Sequence, residues 1–65
     1  MKNQIEIGNY IRCTYEDETE LYGKVLWVSH EQILIAIDSE GITTMVNATA
    51  RSLEMIEIIE DGGHQ

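Results

Sequence analysis

Leu21-Tyr22-Gly23-Lys24-Val25-Leu26-Trp27-Val28-Ser29-His30-Glu31-Gln32-Ile33-Leu34-Ile35-Ala36-Ile37 is the most apolar and most β-branched stretch of the 65-residue chain. β-Branched and aromatic residues suit the pleated, half-buried surface of a sheet. The stretch reads as two β-strands, 21–28 and 33–37, joined by the polar turn Ser29-His30-Glu31-Gln32. The second strand is apolar on both faces, which marks a central position in a sheet. Gly23 lies inside the first, where a glycine signals a bulge or a sharp bend. Beyond it, strict alternation puts Val25 and Trp27 on one face and Leu26 and Val28 on the other, with Trp27 in the core or at a barrel corner.

Upstream, Tyr10-Ile11-Arg12-Cys13-Thr14-Tyr15 alternates with period two, so Ile11 and Cys13 face inward and Gly8-Asn9 bends the chain into the strand. Cys13 is then a small buried hydrophobe. Glu16-Asp17-Glu18-Thr19-Glu20 has no apolar residue and forms the tip of a hairpin. Like charges this dense repel, which predicts a loosely held tip. Downstream, Asp38-Ser39-Glu40-Gly41 is a turn by composition, with Gly41 able to take positive φ. A fourth strand follows over 42–46, one helical or 3₁₀ turn over 47–52, and a fifth strand over 53–59. Residues 1–60 thus make one small all-β barrel domain, and 61–65 a disordered tail.

A chain of this length supports one modest core, and domains so small often carry a disulfide or metal staple. Cys13 is the only cysteine, and His30 and His64 have no ligand spacing around them, so neither a disulfide nor a metal or other cofactor is expected. The net charge is −8, with only Lys2, Arg12, Lys24 and Arg51 opposing twelve acidic residues. Affinity for nucleic acid comes from Lys and Arg neutralising phosphates. This balance favours a basic protein partner over nucleic acid or an anionic membrane. With no apolar leader after Met1 and no stretch near the ~20 apolar residues of a membrane span, the expected location is cytoplasmic. No nucleophile or acid–base set is legible, so no enzyme is expected.

Five strands with hairpins between the first four resemble the SH3-like small barrel. Within that group the spacing over residues 7 to 59 resembles the Sm-like proteins. Tyr22-Gly23-Lys24-Val25 is similar to the bent-strand glycine motif of the first Sm segment, and Ile56-Glu57-Ile58 sits where the final Sm strand would lie. Counted from Gly23, however, the family's acidic residue falls on Ser29 and its RNA-contacting Asn on Ile33. No Arg-Gly pair precedes the last strand, where Asn47-Ala48-Thr49 stands instead. The family's RNA contacts therefore carry over to no residue, and what the resemblance implies is the fold and a homo-oligomer formed through strand edges. A looser resemblance is to the Sm-like acidic inhibitor of the transcription terminator Rho, to which Val28-Ser29 and the Gly41-to-Thr44 turn are similar. It implies a regulator that binds protein.

The expected function is a non-enzymatic acidic protein-binding module, a phage- or bacteria-encoded regulator or inhibitor of a basic, nucleic-acid-handling protein. Tyr15, Tyr22 and Trp27 are candidate aromatic anchors, with Tyr10 nearby. Glu16, Asp17, Glu18 and Glu20 are the candidate electrostatic contacts. The alternative is an Sm-like RNA-binding ring subunit. A third, mimicry of nucleic acid, would use Glu54, Glu57 and Glu60.

Overall fold

In the computed structural model, which describes residues 4–60, five antiparallel strands form one sheet: β1 Tyr10–Tyr15, β2 Glu20–Val28, β3 Leu34–Ser39, β4 Ile42–Asn47 and β5 Leu53–Glu60. Their order is β4-β3-β2-β1-β5, so each of the first four pairs with its sequence neighbour and β5 returns beside β1. β4 and β5 are not paired with each other, and the sheet is open. The chain is all-β, with no helix among the described residues. Over 47–52, where one helical or 3₁₀ turn is expected, there are two successive turns, each closed by a bond from residue i+3 back to i: Ala50 N–H donates to Asn47 O (3.0 Å) and Leu53 N–H to Ala50 O (3.1 Å). The predicted tail at 61–65 lies outside the described residues.

Alternation decides which side chains meet. Ile11 and Cys13 of β1, Val25 of β2, Ile35 and Ile37 of β3 and Val46 of β4 form one fully buried cluster. Leu53 and Ile56 of β5 pack against it, with Ile5, Tyr15, Leu21, Val28 and Ala48. A single flat sheet cannot bury one face against nothing, so the sheet bends around its own inner face. Each of the larger aliphatic side chains in this cluster contributes about 1.5–3 kcal/mol by leaving water.

β2 carries two irregularities that allow the bend. Its register against β1 runs unbroken through Ile11↔Gly23. Gly23 is therefore a point of close approach and not a bulge: a Cβ there would lie 2.8 Å from the Asp38 carbonyl oxygen and 2.9 Å from Ile37 Cδ1. The bulge lies further on, where Val25 pairs with Ile37 but Trp27 with Ala36, leaving Leu26 extra. That extra residue resets the alternation. Trp27 turns outward and is 47% exposed, so it is neither in the core nor on Val25's face.

The turns follow local chemistry. Ser39 pairs with Ile42 across the two-residue loop Glu40-Gly41, whose φ values of 55° and 86° are those of a type I′ hairpin turn. Gln32 ties the N-terminal segment across the sheet, donating from Nε2 to Ile5 O (2.9 Å) and accepting Ile5 N–H at Oε1 (3.2 Å).

Gly23→Ala is expected to destabilise the protein by more than ~1 kcal/mol, because the backbone carbonyl of Asp38, which cannot swing aside as the end of the Ile37 side chain can, occupies the space. Gly23→Val should cost more still. Urea denaturation measures both, and a neutral Gly23→Val would mean that β2 and β3 do not need this contact.

Candidate partner-binding site

The β1–β2 hairpin tip is tied down despite its charge. Glu18 N–H donates to Tyr15 O (2.8 Å), Tyr15 N–H to Thr19 O (2.9 Å) and Glu16 N–H to Ser52 O (2.8 Å), the last anchoring the tip to the turn before β5. Glu18 takes φ 73°, the left-handed step that ends this kind of hairpin loop. Asp17 Oδ1 accepts both the Thr19 backbone N–H (3.0 Å) and the Thr19 hydroxyl (2.6 Å). These two bonds favour the ionised carboxylate and hold its pKa below the ordinary value, the hydroxyl contributing most.

Tyr15, Asp17, Thr19, Glu20, Leu21 and Ser52 line a cleft of about 380 Å³. Tyr15 and Leu21 are half-buried and present apolar surface, while Asp17 and Glu20 are exposed. The Tyr22 hydroxyl donates to Glu20 Oε1 (2.8 Å), fixing that carboxylate from outside the cleft. Burial raises the Tyr15 phenol above its ordinary pKa, so it stays neutral. No Lys or Arg lines the cleft. Arg12 on β1 is engaged elsewhere: its Nε donates to Glu57 Oε1 (2.8 Å), the one ion pair among the described residues. Glu57 first, and the Tyr22 hydroxyl second, hold that guanidinium above its ordinary pKa. A cationic side chain could therefore lay its apolar stem on Tyr15 and Leu21 and its head on Asp17 and Glu20.

The structure gathers only part of the predicted set. Tyr15, Asp17 and Glu20 share the cleft, while Glu16 and Glu18 are exposed on the same tip but do not line it. Tyr22 belongs to a second shallow cleft with Tyr10, Gly23, Asp38, Glu40 and Gly41. Trp27 lies toward the opposite end of β2 and lines neither. Thr19, Leu21 and Ser52 were not singled out from sequence. Thr19, two residues after Asp17, carries a readable turn signature. Ser52 carries none, since it arrives from a distant segment.

Among the described residues no three His, Cys, Asp or Glu side chains are grouped so as to hold a metal ion. His30, the described histidine, is exposed in the β2–β3 turn. Cys13 is buried, and burial raises its thiol above the ordinary pKa. Among the described residues no helix is long and apolar enough to cross a membrane.

Because Asp17 is lowered in the folded state, its contribution to stability is present above its unfolded-state pKa and is lost as pH falls through the lowered value. Thr19→Val removes the hydroxyl donor. It should move the Asp17 midpoint upward in an NMR titration of the carboxyl carbons; an unmoved midpoint would mean that the hydroxyl does not hold the carboxylate. Cys13 should resist alkylation in the native protein and react in denaturant.

No protein-family model, curated protein or solved structure matches the chain.

Proposed function

We propose that this chain is a small acidic protein-binding module without enzymatic activity, built as an SH3-like, Sm-like barrel, whose partner is a basic protein. The observation that carries this reading is the cleft in which Tyr15 and Leu21 sit beside Asp17 and Glu20 with no Lys or Arg among its lining. A net charge of −8 adds long-range attraction for a cationic partner and speeds encounter. Basic proteins of this kind commonly handle nucleic acid, and a phage- or bacteria-encoded cytoplasmic regulator or inhibitor of one fits both size and charge. The barrel reading draws support from the strand order and from the single cluster that all five strands surround.

The open edges β4 and β5 favour one second reading, assembly into an Sm-like ring that binds RNA. The scarcity of cations on this chain weighs against its RNA half.

An arginine-rich peptide is the probe for the first reading. Changing Glu16, Glu18 and Glu20 to Gln and Asp17 to Asn should weaken its binding at least about tenfold, roughly 1.4 kcal/mol. The melting temperature should fall only slightly, because these side chains are exposed and Asn keeps an acceptor for Thr19 while giving up the charge that strengthens its bonds. Wild-type binding should also weaken as salt is raised. Equal affinity of the neutralised variant in calorimetry would remove the tip as the docking point.

A further inference from the structure

Pairing of β2 with β3 starts only at Lys24↔Asp38, whereas its pairing with β1 extends back to Thr14↔Glu20. Over 20–23, β2 therefore has no β3 residue beside it, and the chain beyond Asp38 departs to make the Glu40-Gly41 turn. The second shallow cleft, of about 340 Å³, lies at this divergence, lined by Tyr10, Tyr22, Gly23, Asp38, Glu40 and Gly41.

Its lining combines aromatic surface with unspent charge. Tyr10 and Tyr22 are 41% and 46% exposed. They stand on one diagonal of the β1–β2 pair, in the register Tyr10↔Lys24 and Arg12↔Tyr22. Aromatic side chains reach one another across such a diagonal. The Tyr22 hydroxyl, donating to Glu20 Oε1 (2.8 Å), restrains its ring. Gly23 and Gly41 contribute no side chains to fill the space. Asp38 and Glu40 supply two carboxylates, and neither belongs to an ion pair among the described residues. Lys24, opposite Asp38 in the register, does not line the cleft and forms no such pair either.

We propose that this cleft binds an arginine side chain of the basic partner, as a second cation site beside the tip cleft. The inference rests on the reading of this chain as a module for a basic protein, and it names the side chain that protein must present.

The lining selects the occupant. Carboxylates only accept hydrogen bonds, and a guanidinium offers several N–H donors in a planar fork. The same plane stacks on an aromatic ring, which the compact, strongly hydrated lysine ammonium does less well. A quaternary ammonium would suit the rings but bring no donor to either carboxylate. Lys24 nearby opposes any cation, so charge alone attracts weakly here and stacking decides. Glu20 lines the tip cleft and Tyr22 this one, and the two are joined by a hydrogen bond. One arginine-rich segment can therefore engage both clefts.

Calorimetry at physiological salt tests this with two peptides of equal length and charge, one arginine-rich and one with every arginine replaced by lysine. Tyr10→Leu keeps the charge of the chain and an apolar side chain but removes a ring. It should weaken the arginine peptide about fivefold and the lysine peptide by less than about twofold. Glu40→Asn removes a carboxylate while placing Asn-Gly, a favoured type I′ pair, in the β3–β4 turn, so the fold is kept. It should weaken the arginine peptide about fivefold. Glu31→Gln, the same loss of charge in the β2–β3 turn at the other end of β3, should change it by less than about twofold. Equal weakening of both peptides by Tyr10→Leu, or a Glu40→Asn effect no larger than that of Glu31→Gln, would overturn the proposal. Should these variants be silent while the neutralised tip still weakens binding, this site falls and the tip cleft stands. A silent tip with weakening by Tyr10→Leu and Glu40→Asn would support this site and remove the tip as the docking point.

Discussion

The approach of β3 over Gly23 is the contact on which the other packing depends. With no side chain at this position, the Asp38 carbonyl and the Ile37 side chain occupy space that any Cβ would claim. Pairing of β2 with β3 begins one residue later, at Lys24↔Asp38. The Leu26 bulge then adds twist further along the same strand. Together they let β3 and β4 curl toward β1, so that Ile37 and Val46 reach the cluster that contains Ile11 and Cys13. A chain with a single cysteine has no disulfide to substitute for this packing. Its small core tolerates no flattening of the sheet.

Charge is arranged around that core as consistently as the apolar side chains are arranged within it. The buried cluster contains no ionisable group other than a thiol, and burial keeps that thiol neutral. Most of the carboxylates sit at the hairpin tip, in the turns and along β5, with Asp38 near the end of β3. Arg12 on β1 is joined to Glu57 on β5 and lies beside Tyr22 on β2, whose hydroxyl in turn holds Glu20. One cation is thus spent on the outer face of three neighbouring strands. Asp17 and Glu20 are left without a cation in their cleft. A solvated acidic run becomes a shaped acidic surface because Thr19 and Ser52 hold its backbone and one of its carboxylates in place.

Most of the strand pattern was legible because period-two alternation and turn residues agree in this chain. Ile11, Cys13, Val25, Ile35 and Ile37 all lie on inward phases, and Glu40-Gly41 has the chemistry of the turn it makes. Trp27 was misassigned because alternation counts residues, and one extra residue at Leu26 inverts every side chain beyond it. No local signal marks that bulge, since Leu26 is a good strand residue. The 47–52 segment is legible only as a turn: short runs of Ala, Thr and Ser suit a helical turn and a β-turn alike, and the i+3→i bonds accepted by Asn47 O and Ala50 O are common to both. The cleft was half legible. Its carboxylates and Tyr15 are local in sequence, but Ser52 joins through a contact 36 residues away that no spacing announces.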